Sequence, residues 1–219
     1  MIEVNYVDHM GTDLSVVNAA RVSFGKKSKL ICTNLILGKY AMSKGDKKLI
    51  AFLAKHKHLS PFGHAFASFH IKAPVFVARQ LVKHKFLRWN EISRRYVSDP
   101  PEFYSPTLRK AVTDKKQGSG DVMADTTLDG VINQVGIEAT KQYNYLLNRG
   151  VCEEQARMIL PLNHMTEWYW SGSLDAFADM CKLRCSTDTQ EETQDVAWGI
   201  SHKMDDLFPV SWAALMEAS

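Results

Sequence analysis

The stretch AFASFHIKAPVFVARQLV, residues 65–82, decides the fold of this chain. Its first half alternates in polarity, which is the pattern of a strand with one buried face. The side chains expected on the buried face are Ala65, Ala67, Phe69 and Ile71. Pro74 then suits the first turn of a helix, because its ring fixes a helical φ and its missing N–H needs no partner there. The stretch therefore predicts a strand that passes directly into a helix.

The helix that starts at Pro74 is predicted to be amphipathic. Its expected apolar side consists of Val75, Val77, Ala78, Leu81, Val82 and Phe86, and its polar side of Arg79, Gln80, Lys83 and His84. Lys85 breaks this pattern, because a continued helix would direct its ammonium group into the apolar side. Two interpretations stay open: either the helix ends there, or Lys85 meets a bound anion.

Periodicity and capping residues predict further elements. Expected helices run from Asp46, as the cap, to Lys57, from Leu128 to Gly150, from Glu153 to Ile159, from Leu174 to Leu183 with Ser173 as the cap, and onward from a cap at Ser186 or Thr187. The helix after Leu128 shows helical spacing of Leu128, Val131, Ile132, Val135, Ala139, Tyr143 and Leu146. The last helix is expected to bury Val196, Ala197, Ile200, Met204 and Leu207. Thr166–Trp170 is typical of a strand, and the polar segment Ser105–Asp125 of an exposed loop. These patterns predict one α+β domain over residues 1–219.

Composition narrows the class of protein. A net charge of +3 favours neither a protein that coats nucleic acid nor one that binds a membrane surface. The N-terminus lacks a signal peptide, and no apolar run is long enough to span a bilayer. The four cysteines, Cys32, Cys152, Cys181 and Cys185, lack the spacing of a disulfide framework. We therefore expect a cytoplasmic protein, in the host cytoplasm if the source is viral, that contacts neither nucleic acid nor membrane.

Positive charge concentrates in KHKFLRWNEISRRY, residues 83–96. A solvated helix end is the ordinary explanation of such a run. Here an adjoining apolar segment, a glutamate among the cations and small polar side chains favour an anionic ligand instead. Arg157 and Arg184, far away in sequence, either cap helix carbonyls or grip the same kind of anion, and the residues alone leave both interpretations open.

The histidines and the glycine motifs of the sequence bear on which chemistry the chain could perform. His56, His58, His64 and His70 lack the fixed spacing to carboxylate or thiolate that metal sites show, so no metal is expected. Neither a G-x-S-x-G nucleophile motif nor a G-x-G-x-x-G dinucleotide turn is present. Two alternatives stay open beside a site for a small anionic ligand: a small basic module that binds nucleic acid or senses a nucleotide, and a metal-dependent hydrolase using the histidines.

Two adjoining strings, HLSPFGHAFASFHIKAP (58–74) and ARQLVKHKFLRWNEISRRY (78–96), closely resemble the signature region of flavin-dependent thymidylate synthases. That family carries Arg-His-Arg, seven residues, Ser, and shortly after it Arg-Tyr. AARVSFGK (19–26), ARMILPLN (156–163) and the pair Arg184 and Gln190 extend the resemblance over nearly the whole chain. The differences are Lys83 and Lys85 in place of the two arginines, and Arg88, Gly63 and Asp179 at three further positions.

The resemblance implies an α+β subunit, with an antiparallel or mixed sheet and flanking helices, in a homotetramer whose sites are shared between subunits. It implies conversion of dUMP to dTMP with FAD as cofactor and with methylenetetrahydrofolate and NADPH as co-substrates, without an enzyme cysteine as nucleophile. The FAD contacts it implies are Ser60, Lys83, His84, Lys85, Glu91 and the stretch Ser173 to Asp179. The dUMP contacts it implies are Gln80, Lys83, Glu91, Ile92, Ser93, Arg94, Arg95, Arg157 and Arg184.

Among these residues Arg184 is expected to be catalytic. Removing the N3 proton of uracil pushes negative charge toward carbon 5, and a fixed guanidinium at the ring edge would favour that form. Ser93, Arg95 and Arg157 are expected to bind the 5′-phosphate, which needs several such partners when it leaves water.

Overall fold

The computed structural model describes residues 1–34, 37–113 and 118–218. Its strands are β1 (Glu3–Met10), β2 (Ile31–Asn34), β3 (Lys39–Ala41), β4 (Phe66–Pro74), β5 (Leu87–Glu91) and β6 (Met165–Ser173). Its α-helices are α1 (Asp13–Arg21), α2 (Lys44–Lys55), α3 (Val75–Leu81), α4 (Asp129–Asn148), α5 (Glu153–Ala156), α6 (Leu174–Arg184), α7 (Glu191–Leu207) and α8 (Pro209–Glu217). The mixture of helices with an antiparallel sheet confirms the α+β class.

Four strands form the main sheet in the order β1-β4-β6-β5, and every neighbouring pair is antiparallel. β4 and β6 pair over their full lengths, from Phe66 opposite Ser173 to Pro74 opposite Met165. β5 pairs with β6 only through five residues and forms one edge of the sheet. β2 and β3 make a separate two-stranded sheet.

The core lies between one face of the main sheet and the helices α3, α6 and α7, and it extends to buried residues of α1, α2 and α8. The predicted inward residues Ala65, Ala67, Phe69 and Ile71 are all buried, which confirms the alternation in β4. Phe177 of α6 makes edge-to-face contacts with Phe69 and Trp170, at centroid distances of 5.4 and 5.6 Å. Such aromatic pairs add to the free energy of burying the rings.

The prediction that α3 continues to Phe86 is wrong. α3 ends at Leu81, and the chain turns so that β5 can reach the sheet edge. Phe86 has a φ of +64° and is 85% exposed, while Val82 is also exposed, so neither lies in the core. Of the two interpretations of Lys85, the structure therefore supports the one in which the helix has ended before that residue.

Two predicted caps are also wrong. Ser43 caps α2, because its Oγ accepts the N–H of Asp46 at 3.0 Å, and Asp46 lies inside the first turn. The carboxylate of Asp46 instead accepts hydrogen bonds from Arg21 (2.6 Å) and Ser28 (2.7 Å). α7 begins at Glu191 with Gln190 at its cap position, because a turn over residues 186–189 intervenes after α6.

α4 has nearly the predicted bounds, but much of its apolar side is exposed. Tyr143 is fully buried, whereas Val131 and Val135 are 56% and 51% exposed. The helix packs near its end against α5 and the following 3₁₀ turn, whereas Val131 and Val135 in its first half stay exposed. The bounds follow from the 3.6-residue period, but burial depends on what packs against the helix.

The segment 105–125 contains no helix or strand within its described residues, as predicted, and its residues 114–117 lie outside the described ranges. An isolated bridge pairs Arg109 with Val122. α5 with its 3₁₀ continuation, β6 and α6 also occupy their predicted places. Val196, Ala197, Ile200 and Met204 of α7 are buried as expected.

Candidate active site

The ends of α3 and α6 meet around the guanidinium of Arg184. Its Nε donates a hydrogen bond to Nε2 of His84 at 3.0 Å, and its Nη2 donates to the carbonyl oxygen of Gln80 at 3.1 Å. The Gln80 carbonyl is in the last turn of α3, where helix carbonyls lack an intrahelical partner. The side chain of Gln80 donates to Oε1 of Gln190 at 2.8 Å. We call Arg184, His84, Gln80 and Gln190 the Arg184 cluster.

The hydrogen bond between Arg184 and His84 defines the charge of the imidazole. Arginine nitrogens only donate, so Nε2 of His84 must be the acceptor and carry no proton. Burial and the positive charge of Arg184 lower the pKa of His84 to about 4. Burial also lowers the pKa of Arg184, but a guanidinium remains charged at neutral pH. The cluster therefore pairs a cation with a neutral imidazole.

A second group of predicted site residues begins with Glu91, the last residue of β5, and continues into the loop after it. Glu91 accepts hydrogen bonds from Thr166 Oγ1 at 2.7 Å and from Trp89 Nε1 at 3.1 Å, which fix its carboxylate. Nε of Arg95 donates to the hydroxyl of Ser93 at 3.2 Å. Nη1 of Arg94 donates to the carbonyl of Asp99 at 2.7 Å. We call Glu91 to Arg95 the β5 loop.

The Arg184 cluster and the β5 loop lie at opposite ends of β5. His84 precedes this strand and Ser93 follows it, and five strand residues span about 16 Å. Arg157 lies in the 3₁₀ turn after α5, exposed, with its Nε donating to the carbonyl of Glu154 at 3.3 Å. Within the described residues of one protomer, no hydrogen bond or ion pair joins Arg157 or Arg184 to Ser93 or Arg95. The described hydrogen bonds and ion pairs therefore do not link the predicted nucleotide contacts to one another.

The remaining predicted residues lie around the Arg184 cluster and along α6. Lys83 and Lys85 flank His84, and neither forms an ion pair with a described carboxylate. Ser60 is exposed and opens a 3₁₀ turn whose Phe62 is buried and which packs against α6. Ser173 ends β6 at the cap of α6, and Asp179 is exposed on that helix.

Gly172 of β6 allows the first residue of β5 to approach β6 closely. A Cβ at Gly172 would overlap Cδ2 of Leu87 and lie 3.2 Å from the carbonyl oxygen of Phe86. The turn from the Arg184 cluster into β5 therefore depends on a glycine in the neighbouring strand.

Sequence reasoning assigned no role to several residues that shape the site. Trp89 and Thr166 hold Glu91, Gln190 holds Gln80, and Gly172 accommodates Leu87. The contact of Trp89 could have been predicted, because Trp89 lies two residues before Glu91 and residues two apart in a strand share a face. The family resemblance includes Gln190 but implies no ligand contact for it.

Three of the four histidines that could have been metal ligands lie against an aromatic ring or a carboxylate. The rings of His56 and His58 lie 4.3 and 6.1 Å from that of Phe52, and Nε2 of His70 lies 3.1 Å from Oε2 of Glu167. Over the described residues, no group of three or more His, Cys, Asp or Glu side chains is arranged to hold a metal ion. In the same part of the chain, no helix combines the length and apolarity needed to cross a bilayer.

Residues 5–210 match the model of the family described as thymidylate synthase complementing protein. A flavin-dependent thymidylate synthase of Thermus thermophilus is 39% identical over 215 residues, which cover 98% of this chain and 75% of the relative. The chain belongs to the flavin-dependent thymidylate synthase family. A further family member, from Thermotoga neapolitana, is 34% identical and is matched over 98% of this chain and 90% of its own length.

Solved structures agree with this membership. The UMP/dUMP methylase PolB from Streptomyces cacaoi, bound with 5-Br UMP, superimposes with a TM-score of 0.83 at 27% identity, covering 99% of this chain and 94% of that one. A second crystal structure of the same methylase, bound with 5-Br dUMP, gives a TM-score of 0.82. The resemblance expected from the signature strings is therefore confirmed for the family and for the fold.

Proposed function

We propose that this chain converts dUMP to dTMP, using FAD as its cofactor and methylenetetrahydrofolate and NADPH as co-substrates. The names of its relatives and the methylase activity in the name of its structural neighbour support this reaction. The observation that carries the proposal is the Arg184 cluster. A guanidinium with an immobilised edge at the end of a helix is suited to stabilise charge on a bound heterocycle.

Arg184 acts on the uracil ring in this proposal. Its hydrogen bonds to His84 and Gln80 use Nε and Nη2, and Nη1 has no hydrogen-bond partner among the described residues. These free donors stabilise the uracil form that has lost its N3 proton, in which carbon 5 is a better nucleophile. Fixed donors aimed at developing charge are among the largest contributions to catalysis.

The β5 loop and Arg157 bind the nucleotide phosphate. Ser93 presents a hydroxyl, and Arg95 and Arg157 present guanidinium groups that no described carboxylate neutralises. Such groups form charge-assisted hydrogen bonds to phosphate oxygens. The remaining proposed nucleotide contacts are Gln80, Lys83, Glu91, Ile92 and Arg94.

The nucleotide site is shared between subunits of a homotetramer. The Arg184 cluster and the β5 loop are separated by the length of β5, about 16 Å, which exceeds the distance from base to phosphate in a mononucleotide. A base beside Arg184 in one copy therefore needs the phosphate ligands of another. The exposed apolar side of α4 around Val131 and Val135 supplies surface for such an association.

The donor set fits an anionic dinucleotide such as FAD. Lys83 and Lys85 place two ammonium groups that no described carboxylate neutralises on either side of His84, and Ser60 and Ser173 complete the proposed contacts. The other proposed FAD contacts are Glu91 and Asp179. When bound, FAD supplies the hydride that completes the methyl group. The chain's own residues orient the two ring systems and hold the phosphates.

The decisive experiment is NADPH-dependent release of tritium from 5-tritiated dUMP, with and without methylenetetrahydrofolate, by the wild type and by Arg184→Ala. We expect the wild type to be yellow and active, and the variant to keep its flavin absorbance while losing roughly 100- to 1000-fold in turnover. Arg149→Ala, at the exposed end of α4, is the matched control. A colourless wild type that shifts an oligonucleotide on a gel would overturn the proposal in favour of a nucleic-acid binding module.

A further inference from the structure

We propose that His84 is a positioning residue for Arg184, and that it acts as a neutral hydrogen-bond acceptor through Nε2. This inference rests on the proposed function, because Arg184 is the residue that acts on uracil. It gives the imidazole a task that is separate from contact with FAD, namely holding the guanidinium in one orientation before the nucleotide arrives.

The two contacts of Arg184 fall on one edge of its planar guanidinium. Nε and Nη2 share that edge, and they bond to His84 and to the carbonyl of Gln80 at 3.0 and 3.1 Å. A planar group fixed at two neighbouring nitrogens cannot rotate about its last side-chain bonds without breaking a hydrogen bond. The opposite edge, with Nη1 and the second hydrogen of Nη2, remains available to a ligand.

One of these two anchors is firm and the other depends on a side chain. The carbonyl of Gln80 belongs to α3, and the side chain of Gln80 is itself tied to Gln190. His84 lies beyond the end of α3, in the short connection to β5. Without the imidazole, the guanidinium would keep a single anchor and could swing about it. The orientation of Arg184 is therefore set by His84.

The acceptor role requires an unprotonated Nε2, so the proton of the neutral ring is on Nδ1. The positively charged groups around the imidazole of His84 disfavour its binding of a second proton. Arg184 contacts it from α6, and Lys83 and Lys85 adjoin it in the chain, while Gln80 and Gln190 are uncharged. A protonated ring would present an N–H to a cation and lose the contact.

Two variants separate this role from contact with FAD alone. His84→Gln keeps a neutral acceptor, whereas His84→Leu keeps bulk and removes the acceptor. If His84 acts through Arg184, His84→Leu loses roughly 10- to 100-fold in turnover of dUMP and His84→Gln recovers much of it. The acid limb of the pH profile of kcat moves to higher pH in His84→Leu, because the misplaced guanidinium stabilises the N3 anion less well. His202→Leu, at an exposed histidine of α7, is the matched control.

The double variant His84→Leu/Arg184→Ala gives the sharpest measurement. Since the proposed effect of His84 passes through Arg184, the double variant is expected to be no slower than Arg184→Ala alone. Multiplied losses, or equal loss of flavin from His84→Gln and His84→Leu with unchanged dUMP affinity, would overturn the inference in favour of direct action on FAD.

A measurement on the wild-type protein needs no turnover. In ¹⁵N NMR of labelled histidine, we expect His84 at neutral pH to be a neutral ring protonated on Nδ1, with coupling between its Nε2 and the Nε–H of Arg184. Protonation on Nε2 would overturn the inference even if His84→Leu fails to fold. If instead the contact is present but no dUMP is converted by the wild type, the proposed function fails and the pairing stands.

Discussion

Nη2 of Arg109 lies 2.8 Å from both carboxylate oxygens of Glu192. Nη1 of the same guanidinium lies 2.9 Å from Oε2 of Glu191, and its Nε donates to Ser119 at 2.7 Å. Glu192 is only 2% exposed, so this pair is largely removed from water. The contact ties the segment 105–125 to the first turn of α7, next to Gln190 of the Arg184 cluster.

Arg109→Ala is expected to lower the free energy of unfolding by about 3–5 kcal/mol, because it leaves the buried carboxylate of Glu192 without its partner. Urea unfolding followed by linear extrapolation measures the change. In Arg109→Ala/Glu192→Gln, most of the loss should be recovered, since no buried charge remains. If the double variant were as unstable as the single one, the loss would come from packing of the segment and not from charge.

Lys83→Arg/Lys85→Arg is expected to keep both bound flavin and dTMP formation. Both lysines are exposed, so the larger guanidinium groups have room, and they keep the positive charge while adding donors suited to phosphate. Flavin absorbance of the purified protein and the tritium-release rate test this expectation. Lys83→Gln/Lys85→Gln, the matched neutral pair, should lose flavin; loss in the arginine pair would mean that the site is shaped around lysine.

Gly172→Ala is expected to lower the free energy of unfolding by about 1–3 kcal/mol, the usual cost of overpacking. Its Cβ would overlap Leu87 and press on the carbonyl of Phe86, which displaces β5 and the connection that contains His84. The midpoint temperature of thermal unfolding and the affinity for dUMP should both decline. Gly130→Ala, with open space in α4, is the control and should be neutral or slightly stabilising. Partial recovery in Gly172→Ala/Leu87→Ala would identify the overlap as the cause.

Asp46 should make stability depend on pH. Burial raises the pKa of this carboxyl, but hydrogen bonds from Ser28, Ser43 and Arg21, with the charge of Arg21, outweigh burial and bring the pKa below its ordinary value of 3.8. A depressed pKa in the folded state stabilises the fold above 3.8, and this contribution disappears as the pH falls through the folded-state pKa. The gap in unfolding free energy between the wild type and Asp46→Asn should therefore be constant near neutrality and shrink in acid. Asp205→Asn, on an exposed aspartate of α7, should show no such gap.

The sequence predicted local structure well where one pattern was sufficient. β4 and β6 show strand propensity and α4 and α6 show helical spacing, and all four occupy their expected places. The strands β1, β2, β3 and β5 and the helices α1 and α8 were missed. In β5 the alternation of Leu87 and Trp89 with Arg88 and Asn90 was present, but it was hidden inside a charge run that was interpreted as a site for an anionic ligand.

Tertiary neighbours account for the other differences. Whether Val131 and Val135 are buried depends on what packs against α4, which helical spacing does not encode. The acceptor role of His84 requires the end of α6 to lie beside it, a hundred residues further along the chain. The family signature identified His84 and Arg184 as site residues, but no spacing rule could predict that they contact each other.

The length of β5 also has a genetic consequence. If each nucleotide lies between the Arg184 cluster of one copy and the β5 loop of another, a subunit lacking the Arg184 guanidinium and a subunit lacking the Arg95 guanidinium are each inactive alone. Coexpressed, they would form mixed assemblies in which a minority of sites receive both intact halves. Two alleles that are each inactive would then together sustain growth without thymidine. A site built within a single chain would not permit this complementation.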